Sequence, residues 1–200
     1  MSRNDSSEIF MLRVLQKSFP EELGNLSQKD SQQKPDFQDQ ALSIGVEATI
    51  AQHGDNRMME ARALFGRLEG KVPTSVQDAR LRELGMTPVY ENGVLKDALE
   101  VFWEGESYPA IADAIAGKLG KLNHGNYDDV KDVRLVVKDF RDAHRAEVLA
   151  DTIRKAYASF DAEAKDVRHF THVYVIPDMQ HCVYDYDEVA DTVTVRPFVY

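Results

Sequence analysis

Two acidic residues stand where chemistry could begin: Asp36, directly after Pro35, and Glu47, on the polar side of an alternating run, with ten residues between them. If the segments that carry them form a hairpin, both carboxylates reach one point. Two or three carboxylates, a backbone carbonyl and water make an octahedral oxygen site that suits magnesium. Such a site activates water and offsets phosphoryl charge. The same spacing also describes a solvated turn aspartate and a surface glutamate, so the elements that position the pair decide between the two.

Ser43 to Ala51 is the clearest strand, with Ile44, Val46, Ala48 and Ile50 on one face and Gly45, Glu47 and Thr49 on the other. A shorter strand is predicted around Pro35-Asp36-Phe37. Ahead of it, Asp5 or Ser6 caps a helix with Glu8 in its first turn and Ile9, Phe10, Leu12, Val14 and Leu15 on its apolar face. Glu21 to Lys34 has no period and reads as a surface loop. After the long strand, a helix from near Asp55 or Asn56 stops near Gly70, and a short one over Ser75 to Leu84 ends at Gly85. Pro88-Val89-Tyr90 then enters a turn at Asn92-Gly93, while Leu99 to Trp103 fits strand or helix equally.

The pattern sharpens at Pro109, which opens a helix bearing Ile111, Ile115, Leu119 and Leu122 at helical spacing, with Lys118 and Lys121 three apart on a common side. Val133 to Val137 is a buried strand, followed by a helix from His144 to Phe160, a strand from Phe170 to Ile176, and a terminal hairpin of Cys182-Val183-Tyr184 with Val193-Thr194-Val195. Strand, helix, strand implies a crossover and a parallel pair. The order predicts an α/β sandwich on a mixed sheet.

Composition sets outer bounds. The 200 residues carry 24 Lys+Arg against 34 Asp+Glu, a net charge of −10, with 43% hydrophobic and 29% charged residues, which predicts a folded single domain over 1–200. No apolar run approaches the ~18 residues of a membrane helix, and the amino terminus is polar and acidic where a signal peptide would be basic and then apolar. With a lone cysteine, Cys182, no intrachain disulfide forms, so the expectation is a cytoplasmic protein with no membrane attachment. The acidic balance argues against an unspecific nucleic-acid coat, leaving room for a small basic patch.

Lys34-Pro35-Asp36-Phe37, Ile44-Gly45-Val46-Glu47-Ala48-Thr49, and Lys118 to Tyr127 leading into Val133 to Val137 resemble, in that order, three landmarks of the PD-(D/E)xK, or restriction-endonuclease-like, nuclease superfamily: the second-strand aspartate, the third-strand acid, and a basic helix feeding the next strand. The resemblance is in particular to uncharacterised bacterial and phage members and extends over roughly Glu8 to Asp178. It implies an α/β, three-layer sandwich with a central mixed sheet flanked by helices, and a family-variable insertion around 72–108. It further implies that Asp36 and Glu47 bind magnesium or manganese, that the Ala48 carbonyl is a further ligand, that Glu8 supplies a first-helix carboxylate, and that the substrate is nucleic acid, with DNA the expected one. Glu8 also reads as an ordinary first-turn glutamate favoured by the helix dipole.

The chain departs from the family at Thr49, where a lysine usually stands; a neutral hydroxyl cannot steady phosphoryl charge as an ammonium does. Lys118, Lys121, Arg57 and Arg62 are the candidates for a migrated cation, with Lys121 preferred and Lys118 the alternative. Both lysines also read as a solvated helix end that complements the dipole. A second reading follows from Thr49 and the charge of −10: a nuclease fold without catalysis, acting as a protein-binding or inhibitory module for a basic partner. A working nuclease would instead gather Lys118, Lys121, Arg57, Arg62 and Arg67 around one cleft. The remaining groups read as structural. His169 and His172 fall on opposite faces of a strand, Cys182 beside His181 lacks an orienting group, and Gly117, Gly120 and Gly125 lack the strand-to-helix setting of a phosphate loop. Asp185, Asp187 and Asp191 read as a solvated hairpin, and Phe102 with Trp103 as core.

Overall fold

A computed structural model describes residues 3–28, 35–39, 41, 43–51, 57–84, 86–100, 108–125, 127, 130–139, 144–162, 166–177 and 181–198. The chain forms two compact units: Met1–Gln52 together with Ser107–Tyr200, and His53–Glu106. The second unit overlaps the stretch expected to be an insertion and begins earlier, at His53.

The first unit is α/β. Its elements are α1 (Arg3–Ser18), α2 (Pro20–Leu23), β1 (Ser27–Gln28), β2 (Phe37–Gln38) and β3 (Ile44–Ala51). After the second unit, which holds α3 (Arg57–Leu68), α4 (Ser75–Glu83), β4 (Met86–Glu91) and β5 (Val94–Glu100), it resumes with α5 (Pro109–His124), β6 (Asp132–Asp139), α6 (Ala146–Asp161), β7 (His172–Pro177), β8 (Cys182–Asp187) and β9 (Thr192–Pro197). Seven strands form one mixed sheet in the order β1-β2-β3-β6-β7-β8-β9. The β3–β6 and β6–β7 pairs are parallel and the outer pairs antiparallel, because β3 and β6 each lead into a crossover whereas the flanking strands are joined by hairpins.

Alternation along the strands builds two cores. Val133, Leu135 and Val137 of β6 and Val173 and Val175 of β7 pack with Ile111, Ile115 and Leu119 of α5 and Leu149 and Ile153 of α6. Phe37, Val46, Ala48, Val136, Tyr174 and Ile176 pack on the opposite face against Met11, Val14 and Leu15 of α1. Helices therefore cover both faces of the sheet. Glu47 and Thr49, out of phase with Val46 and Ala48, face the α5 side.

Several local expectations need correction. Helix α1 begins at Arg3, so Glu8 lies a turn inside it and not in the first turn. The segment read as loop from Glu21 holds α2 and β1, with residues 29–34 outside the described part. Pro20 at the first position starts α2 where propensity alone reads a break. The aspartates of the last hairpin are not simply solvated: Asp185 is buried and its carboxylate lies 2.8 Å from His172 Nδ1. Asp187 accepts the turn N–H groups of Val189 and Ala190, and Asp191 pairs with Arg154 at 2.6 Å. Leu99 is in β5, whereas Phe102 and Trp103 lie outside the described residues.

The second unit has its own small core of Ala61, Leu68, Leu81, Leu84, Met86 and Leu95. A reciprocal capping box between Thr74 and Gln77 starts α4, and Asn92 and Gly93, with φ of 52° and 78°, make the β4–β5 turn. Among the described residues no helix is long and apolar enough to cross a membrane.

On the α1 face, a buried Arg134 ties the sheet to α2. Its guanidinium donates to Asp132 Oδ2 at 2.6 and 2.9 Å, to Tyr174 Oη at 2.7 Å and to Glu22 Oε1 at 2.7 Å. Burial would push the Asp132 carboxyl up, but hydrogen bonds from Arg134 and Thr171 outweigh it and hold the group below its ordinary value. A carboxyl depressed in the folded state stabilises above its unfolded pKa, near ~3.9, and loses that contribution as pH falls through the folded value. Replacing Arg134 by Met should cost about 3 kcal/mol in urea unfolding, since it strands Asp132 and the Tyr174 hydroxyl. The variant should also lose part of the wild type's drop in stability below about pH 4.

Candidate active site

Asp36 is set by a tight β2–β3 hairpin. At the turn, the Asp39 carboxylate accepts the Ser43 N–H at 2.8 Å and the Ser43 hydroxyl as well. The ladder pairs Phe37 with Val46 and Gln38 with Gly45, and continuing that register by one residue sets Asp36 opposite Glu47. Where the ladder stops, the Ala48 N–H donates to Asp36 Oδ2 at 2.8 Å, so the carboxylate takes the place of a strand partner. Pro35 lies directly over β3: a Cβ on Gly45 would fall 2.2 Å from Pro35 Cγ and 3.0 Å from Val130 Cγ1. Gly45 is therefore what lets the Pro35-Asp36 segment approach the strand, and the Gln38 side-chain amide holds it there by donating to the Pro35 carbonyl at 3.2 Å.

Glu47 is fully buried between β2 and β6, where its register partner is Leu135. Lys118 reaches it from α5, with Nζ 2.6 Å from Glu47 Oε1 and its own side chain 13% exposed. A carboxylate without solvent costs several kcal/mol unless it is paired, and Lys118 supplies the pairing. Tyr127 closes the site from the segment after α5. Its hydroxyl is buried, and burial together with the neighbouring carboxylates of Glu47 and Asp36 pushes its pKa upward, placing the phenol in their field. Asn123 and Arg168 hold this segment down. The Asn123 amide exchanges hydrogen bonds with the Arg168 backbone at 3.0 and 2.8 Å, and the Arg168 guanidinium donates to the carbonyls of Val130 at 2.8 Å and Tyr127 at 3.5 Å.

Asp36, Glu47 and Lys118 thus come together at the middle of β3. Thr49 stands two residues beyond Glu47 on the same face, partly buried and without charge. Lys121, the preferred cation in the sequence reading, is exposed, one turn past Lys118. Glu8 accepts from Gln28 Nε2 at 3.0 Å, on the helix that packs against the other face of the sheet. The side chains of Arg57 and Arg62 lie outside the described residues, and Arg67 belongs to the second unit. The histidines 169 and 172 have separate partners, Asp161 at 2.8 Å and Asp185 at 2.8 Å. Tyr127 ends the Lys118 to Tyr127 segment with no role legible in the sequence, and Arg168 has no sequence signal, because its contacts are to backbone carbonyls more than 35 residues away.

The donor chemistry fits a hard divalent cation, because two carboxylates beside one ammonium leave a net negative cluster, and magnesium is commonly held by one or two carboxylates while keeping its waters. Among the described residues no group of three or more His, Cys, Asp or Glu side chains could hold a metal, so backbone oxygen, water or substrate would complete the shell. A scan against protein-family models, a search of curated proteins and a search of solved structures found no match to this chain.

Two measurements check the construction. Gly45→Ala should destabilise by about 2 kcal/mol in urea, since Pro35 cannot yield without moving Asp36. Lys118→Met should cost about 3 kcal/mol by leaving Glu47 buried and unpaired, whereas adding Glu47→Leu should recover most of that loss.

Proposed function

We propose that this chain is a metal-dependent phosphodiesterase of the PD-(D/E)xK, restriction-endonuclease-like kind, acting on DNA. The observation that carries the reading is the convergence on one strand of Asp36, held by the Ala48 N–H, and Glu47, held by Lys118 from a different element. The resemblance calls for an aspartate at the second strand, an acid at the third and a basic helix that follows. Asp36 directly precedes β2, Glu47 lies in β3, and Lys118 projects from the helix leading into β6. DNA as substrate rests on the resemblance.

Asp36 and Glu47, with the Ala48 carbonyl as a further oxygen, would hold magnesium or manganese, which when bound would supply a water of lowered pKa and Lewis acidity toward a phosphoryl oxygen. Lys118 does what the neutral Thr49 cannot. One of its three N–H bonds fixes Glu47, and the others can orient an attacking water and meet charge developing on the phosphoryl oxygens. The Asp36–Ala48 hydrogen bond fixes the carboxylate's orientation before substrate arrives, so no reorganisation is required at the reacting centre.

Purified protein should nick supercoiled plasmid with magnesium or manganese. Asp36→Asn, Glu47→Gln and Lys118→Met should each lower the rate by about a hundredfold or more, with circular dichroism verifying that the variants fold. Millimolar magnesium should raise the wild-type melting temperature and leave that of Asp36→Asn unchanged. Absence of cleavage of both plasmid and single-stranded DNA with either metal, or a Glu47→Gln variant that cleaves as well as wild type, would overturn the proposal and favour the inactive protein-binding module.

A further inference from the structure

Next to the carboxylates, α5 carries an open groove of about 380 Å³ lined by Gly117, Gly120, Lys121, His124, Gly125 and Tyr127. That volume lies within the range of small-molecule sites. Positions 117, 120, 121 and 124 share one helix face, and two of them are glycines inside a sixteen-residue helix. Glycine is costly there, and a Cβ at either position would meet nothing within 4 Å. Packing within the described residues therefore does not require the glycines. What they provide is a stretch of helix backbone that a ligand can approach closely.

The charged groups at the groove indicate what that ligand is. The single acid of α5, Asp113, stands near its start, whereas Lys118, Lys121 and His124 fall in its last two turns. Lys121 lines the groove and is one turn from Lys118, which is bound to Glu47. The imidazole of His124 lies with Nδ1 2.8 Å from the Gly120 carbonyl, which can only accept, so Nδ1 carries the proton and Nε2 is the nitrogen left to meet a ligand. Tyr127 joins the groove to the site: it lines the groove, and its buried hydroxyl lies in the field of Glu47 and Asp36.

We infer that this groove seats the nucleotide adjacent to the scissile phosphodiester of a single DNA strand, with the neighbouring phosphate on Lys121 and the sugar-phosphate chain against Gly117 and Gly120. The inference rests on the phosphodiesterase reading and gives it a substrate track. It also explains how a chain of net charge −10 could hold a polyanion, since the cations are concentrated at the end of one helix beside the reacting centre.

The test uses the full chain and a fluorescein-labelled twelve-residue oligothymidylate, with affinity read by anisotropy at millimolar calcium and cleavage read separately with magnesium. Lys121→Ala should raise Kd about tenfold and lower the slope of log K against log salt by about one. Gly117→Leu and Gly120→Leu should fill the groove and weaken binding at least as much while leaving the melting temperature equal or higher, because leucine favours an open helix position over glycine. A structural role for the glycines would instead lower the melting temperature. If the wild type cleaves and these three variants bind and cleave like it, the groove assignment is overturned and the phosphodiesterase reading survives. If the wild type binds without cleaving and the variants lose binding, the groove stands as a single-strand binding site with no scissile bond beside it, and the catalytic reading falls. Failure of the wild type to bind the oligonucleotide overturns the groove outright.

Discussion

The buried carboxylate of Glu47 is the constraint around which the first unit is arranged. A charge with no solvent access must be met by an opposite charge and by hydrogen bonds, or it neutralises itself. Lys118 meets it at 2.6 Å, but only because α5 crosses the sheet over β3, after a connection long enough to return parallel as β6. A hydrophobic pair of similar volume would fill the same space at equal or lower free energy. Stability alone therefore gives no reason to keep Lys118 and Glu47, and the proposed function supplies one.

Comparison with the other buried polar groups sharpens the point. Arg134 is as deeply buried, but its guanidinium is committed to Asp132, Glu22 and Tyr174, and it serves to fasten α2 to the sheet. Asp139 and His144 form a second buried acid–base pair, with Nε2 3.2 Å from Oδ2. The His144 ring packs edge-on to Tyr108 and Tyr184, and the Tyr184 hydroxyl donates to the His144 carbonyl. That pair is enclosed by aromatic rings and ties the entry of α5 to β8. Of the three, the Glu47 cluster is the one bordered through Tyr127 by an open groove.

The readability of these features from sequence followed the range of the interactions that make them. Strands β3 and β6 and helix α5 were legible because period-two and period-3.6 burial is written locally in Ile44 to Ile50, Val133 to Val137 and Ile111 to Leu122. The pairing of Asp36 with Glu47 was legible as a possibility because a short hairpin fixes register. Strand β1 was not, since Ser27 and Gln28 are exposed and owe their strand character wholly to pairing with β2. The choice between Lys118 and Lys121 was equally out of reach. Both lie on the same side of one helix, and which of them points into the sheet depends on how Ile111, Ile115 and Leu119 rotate α5 against β6, a tertiary property that spacing does not encode.

The charge of the whole chain and the charge of the site act over different distances. At physiological salt the Debye length is about 8 Å, so acids scattered elsewhere over the surface would be screened from a phosphate seated in the groove as proposed, whereas Lys121 would not. Net charge then governs encounter more than the final contact: an acidic protein gains little from unspecific sliding on DNA, because counterion release needs many lysines and arginines along the duplex. On the proposed function, affinity would come from a few cations placed close to the reacting phosphate. Such an arrangement favours a strand that can bend toward one helix over a stiff duplex that must be met along its length.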